Sequence, residues 1–279
     1  MPLKLMYITN QPQVAKIAEK NGVEWIWIDL ETIGKDERQK GKNSVKSHHS
    51  IEDIKIIKPL LTTSLLLVRV NPWNEKSKLE INAVIDAKAD MIMLPMWKTV
   101  KEVQDFISTI NGRAKTMLLL ETKEAVECLD EVLKISGIDE IHIGLNDLHL
   151  SYCKTFMFEL LADGTIERLC NKIRTVGLPY GFGGIAKIGD GILPAEKIIL
   201  EHYRLGSTRV ILSRTFCDYT LIDSFKEIES VFRNNIKRLR IFEKYAATAS
   251  DVELLKNKFA VIENVENIVK KIKRSNVYG

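Results

Sequence analysis

The stretch Lys115-Thr116-Met117-Leu118-Leu119-Leu120-Glu121-Thr122 decides how this chain reads. Its apolar run shows no alternation with polar residues, so it predicts a strand over 115–120 that is covered on both faces, as strands of a parallel sheet are. The amphipathic stretch 123–133 that follows predicts a helix to cover one of those faces. The same unit recurs in both directions. Strands are predicted over 5–9, 24–30, 64–70, 90–94, 115–120, 140–144, 179–182 and 209–212, with helices over 13–20, 51–61, 79–87, 100–110, 123–133, 166–176 and 195–203. Eight βα units in an α/β chain point to a (β/α)8 TIM barrel rather than an open doubly wound sheet.

After the eighth strand the rhythm changes. Leu221, Phe225, Ile228, Phe232, Leu239 and Phe242 mark the apolar stripe of a long helix. Ser250 with Glu253 forms a capping box that opens a second one, whose stripe is Leu255, Ile262, Val265, Val269 and Ile272. The organisation expected is a barrel domain over 1–220 and a C-terminal helical extension over 221–279. That extension packs either on its own barrel or on a neighbouring subunit, which would make the protein a homo-oligomer.

Composition removes several classes of function. In 279 residues, 45% are hydrophobic and 28% charged, an ordinary globular balance. A net charge of +4 is small for this length and gives no electrostatic argument for a nucleic-acid or membrane partner. The four cysteines form no CxxC motif. With no signal-peptide pattern at the start and no long apolar run, a reduced, cytoplasmic protein is expected.

In such a barrel, reactive groups stand at the C-terminal ends of the strands. Those ends read Trp27-Ile28-Asp29-Leu30-Glu31, Val68-Arg69-Val70-Asn71-Pro72, Leu120-Glu121-Thr122 and Gly144-Leu145-Asn146-Asp147. Glu121 and Asp147 follow adjacent strands about 4.8 Å apart, so both carboxylates could reach one point and hold Mg²⁺ or Mn²⁺, which take one or two protein carboxylates and keep water positions open. The alternative is that each carboxylate caps the following helix or pairs with a cation. Arg69, roughly 10 Å from Glu121 by the same strand spacing, could stabilise a developing enolate oxygen or pair with Asp29 or Glu31.

The five histidines divide by setting. His142 lies inside a strand, His149 close after Asp147, and His202 at a helix end. His48 and His49 lie in the long charged segment 32–50, where either could serve as general acid or base or remain a solvated loop residue. The glycines of Gly181-Phe182-Gly183-Gly184 lack the order of a phosphate-binding loop.

These strand ends, with Met93-Leu94-Pro95-Met96 and Ile143-Gly144-Leu145-Asn146-Asp147-Leu148, resemble the metal-dependent (class II) pyruvate-type aldolases and the citrate lyase beta chains over about residues 25–216. The resemblance implies Glu121 and Asp147 as ligands of Mg²⁺, Mn²⁺ or another divalent cation. It also implies Arg69 at the oxo or enolate oxygen and the backbone of Leu145, Asn146 and Asp147 at the substrate carboxylate. The chain departs from both branches: Met96 stands where the lyases carry lysine, Thr32 where the aldolases carry histidine, and Leu119 where they carry glutamine. The expected activity is a divalent-metal-dependent carbon–carbon lyase or aldolase acting on a small-molecule 2-oxo acid through a metal-stabilised enolate. Asp29, Glu31, Arg69, His48 and His49 are its candidate catalytic residues. The alternatives are a citrate-lyase-like enzyme for a CoA or carrier thioester, and a catalytically reduced barrel acting as a binding or assembly subunit.

Overall fold

The computed structural model describes residues 1–34 and 49–277. Eight parallel strands follow one another in chain order in a closed barrel: β1 (Lys4–Ile8), β2 (Trp25–Asp29), β3 (Leu65–Arg69), β4 (Met91–Leu94), β5 (Lys115–Leu120), β6 (Glu140–Ile143), β7 (Tyr180–Ile185) and β8 (Arg209–Leu212). The fold is the (β/α)8 barrel with added C-terminal helices. Among the described residues no helix is long and apolar enough to cross a membrane.

The chain divides into two compact units, 5–142 and 143–279 with 1–4. In the first unit, α1 (Pro12–Lys20), α2 (Ile51–Ile57), α3 (Ser77–Asp86), α4 (Val100–Ile110), α5 (Lys123–Glu127) and α6 (Leu129–Val132) surround strands that are buried almost throughout. That burial explains the unbroken apolar runs. The capping boxes Ser50/Asp53 and Thr99/Glu102 start α2 and α4 as their sequences require. The helix expected over 123–133 is two short helices, because Cys128 leaves helical geometry at φ −97°, ψ 8°.

The second unit holds α7 (Leu145–Ser151), α8 (Glu159–Ala162), α9 (Thr165–Thr175), α10 (Ala195–Leu205), α11 (Phe225–Ala246) and α12 (Asp251–Val277). β7 continues three residues past its expected end, to Ile185. Glycine makes that strand possible: a Cβ on Gly181 would lie 2.3 Å from the Arg209 carbonyl oxygen, and Gly183, at φ +53°, would place one 2.7 Å from Leu145 Cδ1. The glycines therefore serve close strand packing. The stripe expected on the long helix is shorter than predicted, since Leu221 lies in a 3₁₀ turn and both it and Phe225 are exposed. Ser250 and Glu253 form the expected capping box on α12.

Candidate functional site

The register of β2 and β3 pairs Asp29 with Arg69 at the ends of their strands. Opposed residues of neighbouring strands share a face, so the two side chains meet there. Arg69 Nε donates to Asp29 Oδ1 and Nη2 to Asp29 Oδ2, both at 2.8 Å, and Nη2 lies 3.0 Å from Glu31 Oε2. Asp29 and Glu31 are each only 2% exposed. Burial opposes the guanidinium charge, but Asp29, Glu31 and the nearby Glu121 outweigh it, so the Arg69 pKa stands above its ordinary value and the side chain stays charged. The ring of Trp27, two residues before Asp29 and hence on the same strand face, lies 5.2 Å from the guanidinium carbon. Among the described residues, Arg69 Nη1 has no hydrogen bond. The pairing of Arg69 with Asp29 and Glu31 is thus present, and it leaves one donor nitrogen over.

Two further residues position this cluster. Asn71 Oδ1 accepts from the amides of Thr32 (2.9 Å) and Ile33 (3.0 Å), and its Nδ2 donates to Leu30 O (3.3 Å), which ties the chain after Glu31 to the end of β3. Glu80 of α3 accepts in turn from Asn71 Nδ2 at 2.7 Å. Burial pushes the Glu80 carboxyl pKa up, although the bonds from Asn71 partly offset this. Glu80 is invisible to a reading of strand ends because it sits on a helix; its position in the first turn is the one available signal.

Glu121, 3% exposed, ends β5 in the same unit, and its Oε1 accepts the Met96 amide at 3.1 Å. Met96 holds φ +52°, a left-handed conformation uncommon for a residue with a side chain, and it turns the amide after β4 toward the carboxylate. Glu121 does not cap the next helix. Thr122 does, accepting from Ala125 N at 3.1 Å while its hydroxyl donates to Trp97 O at 2.7 Å.

His49 Nδ1 accepts the backbone amide of Asp29 at 3.0 Å, so this histidine stands beside the Asp29–Arg69 pair. His48 lies outside the described residues.

In the second unit, Leu145, Asn146 and Asp147, read from the sequence as a strand end, form the first turn of α7. An acidic residue there suits the helix dipole. His149 Nδ1 bonds Leu145 O at 3.1 Å, the contact of a helix histidine satisfied by backbone. His142 is wholly buried within β6. His202 bonds Ser207 Oγ at 2.7 Å and stacks on Phe182 with ring centroids 3.8 Å apart, which makes it part of the core.

Among the described residues no three His, Cys, Asp or Glu side chains gather as a metal cage. Glu121, buried and accepting only a backbone amide among the bonds described above, is a carboxylate donor of the kind a hard cation takes while keeping most of its ligands as water and substrate oxygen.

Comparison with known proteins agrees with this architecture. Residues 4–155 match the profile of the HpcH/HpaI aldolase/citrate lyase family. A hydroxypyruvate/pyruvate aldolase of Roseovarius nubinhibens is 23% identical over 225 residues, covering 69% of this chain and 77% of that protein. The crystal structure of an HpcH/HpaI aldolase from Desulfitobacterium hafniense superposes with a TM-score of 0.60 at 14% identity, over 82% of this chain and 93% of that one. The citrate synthase SbnG does so with a TM-score of 0.59 at 15% identity, over 79% and 90%. At such identities the structural likeness speaks for the fold, and the profile match for the lineage. The chain belongs to the HpcH/HpaI aldolase/citrate lyase family.

Proposed function

We propose that this protein is a divalent-metal-dependent carbon–carbon lyase or aldolase that acts on a pyruvate-like 2-oxo acid. The observation that carries the reading is the buried Arg69, held by Asp29 and Glu31 with Nη1 making no hydrogen bond among the described residues, near a Glu121 whose neighbour Thr122 takes the helix cap. Glu121 and Asp147 are the residues we assign to Mg²⁺ or Mn²⁺. Once bound, such an ion supplies Lewis-acid stabilisation for negative charge on the keto oxygen of the substrate.

The chain's own residues would act around that charge. Arg69 presents Nη1 as a fixed donor to the keto oxygen, which becomes the enolate oxygen when the bond between the carbons α and β to the keto group breaks and the hydroxyl on the β carbon gives up its proton to leave as an aldehyde. Asp29 and Glu31 keep the guanidinium plane from rotating, so little reorganisation accompanies the step. The backbone of Leu145 to Asp147 is assigned to the substrate carboxylate. For proton transfer, Glu31 is already engaged by Arg69, whereas His49 accepts the Asp29 amide at Nδ1, which places a proton to be exchanged on Nε2.

The test follows the C3 protons, next to the keto group, of pyruvate (methyl), hydroxypyruvate and 2-oxobutyrate (methylene) by proton NMR in D₂O with Mg²⁺ or Mn²⁺. Enolate formation needs no acceptor, so exchange above that of the ion alone is the expected result. If exchange is absent with every 2-oxo acid but appears at the α-protons of an acyl-CoA, the thioester reading replaces this one. If neither exchanges, the barrel is a binding subunit.

A further inference from the structure

Trp27 sits in the middle of β2 with its backbone pinned on both sides. It stands opposite Ile8 of β1 and Leu67 of β3, and its carbonyl accepts the Thr9 amide at 3.2 Å. The side chain is 2% exposed. A buried tryptophan ordinarily gives its N–H to an acceptor, because a donor shut away from water without one costs free energy. Trp27 Nε1 is closed to solvent and has no such acceptor among the described residues. The ring is therefore oriented by what packs against it, and the charged group over its face is the Arg69 guanidinium, with Cζ 5.2 Å from the ring centroid.

The other contacts of Arg69 leave a freedom that only a neighbour on its face can remove. Asp29 accepts from Nε and Nη2 at 2.8 Å and Glu31 lies 3.0 Å from Nη2, so both carboxylates grip an edge of the guanidinium. Edge contacts hold the group in register within its plane, but a small shift of Nη1 out of that plane only bends them. The negative face of an indole attracts a cation lying over it, most strongly where water is excluded, and so opposes that shift. We infer that Trp27 is a positioning residue for the lyase step: its π-face fixes the height and tilt at which Arg69 presents Nη1. The inference deepens the function proposed above and rests on it for the consequence in rate, whereas the contact between the two side chains stands without it. Phenylalanine at this place would bury no orphan N–H, yet indole offers the stronger face to a cation.

The test replaces Trp27 in the full chain, by site-specific incorporation, with mono-, di- and trifluorotryptophan, which keep the shape of the indole while weakening its negative face. Nitrogen–proton NMR of the arginine side chains reads the guanidinium directly. The Arg69 Nη hydrogens should give separate lines in the wild type and broaden with each fluorine, as the group turns faster. Exchange of the C3 protons of pyruvate with Mg²⁺ reads the consequence. Its kcat should fall stepwise, ~10-fold across the series for a desolvated cation–π contact, while KM for pyruvate and the affinity for Mg²⁺ hold. A ring that merely fills space would move neither readout. A rate unchanged through trifluorotryptophan therefore overturns the inference, and so does a falling rate with Arg69 lines that stay sharp. If the wild type exchanges no proton of any 2-oxo acid, the functional reading fails by itself, and the Arg69 lines alone decide: broadening upholds Trp27 as the residue that holds Arg69, and constancy overturns it.

Discussion

Arg69 and Asp29 meet in a two-point contact, Nε to Oδ1 and Nη2 to Oδ2, both at 2.8 Å and both nearly closed to solvent. A planar fork matched to a planar carboxylate cannot rotate without breaking a bond. The contact therefore sets the direction of Nη1 as well as holding charge.

Arg69→Lys keeps the charge but loses the fork. It should lower the rate of methyl-proton exchange by about 10²–10³-fold, the range for removing one fixed oxyanion donor, while divalent-ion affinity measured by calorimetry changes little. Arg69→Leu should also destabilise the fold by about 3–5 kcal/mol in urea unfolding, because it removes the guanidinium that balances the charge of the buried Asp29 and Glu31 carboxylates.

Glu121→Gln and Asp147→Asn preserve shape while removing one negative charge each. Isothermal titration with Mg²⁺ or Mn²⁺ should show binding abolished or weakened at least tenfold in both. Thermal unfolding of Glu121→Gln without added metal should stay near wild type, since the amide oxygen can still accept the Met96 N–H.

Thr122→Ala separates the helix cap from the acid beside it. It removes the cap of α5 and leaves the Trp97 carbonyl without its donor. A loss of about 1–2 kcal/mol in chemical denaturation is expected. Should the loss appear instead in Glu121→Gln, the capping role belongs to the glutamate.

Glu167 gives a pH signature. The side-chain hydrogen bond from Arg204, with the further bond from Lys258, outweighs burial and lowers its pKa from 4.5 to about 2. A depressed carboxyl pKa contributes stability that is present above about pH 4.5 and is lost as pH falls toward 2. Both partners are partly open to solvent, so Glu167→Gln should cost about 1 kcal/mol at neutral pH and flatten the decline of stability across that acid window.

The strands of the barrel were legible because a strand covered on both faces must be apolar throughout, and three of the runs ended in a charged residue where the apolar pattern stopped. Asp29, Arg69 and Glu121 stood out for that reason. The Ser250–Glu253 box was equally plain, since a cap needs only residues three apart. The sequence left open whether Glu121 caps a helix, whether Arg69 is paired, and what sits beside Glu31. Those answers depend on residues distant in the chain: Thr122 competing for the cap, the register that sets Asp29 against Arg69, and Glu80 reaching Asn71 from α3. The helix at Leu145–Ser151 also escaped a reading by periodicity, because seven residues span barely two turns and leave no stripe to recognise. Local pattern determined which residues form elements and where the polar strand ends fall. Only the tertiary structure decided how the charges are shared among them, because hydrogen bonds and desolvation act between side chains that the sequence keeps dozens of positions apart.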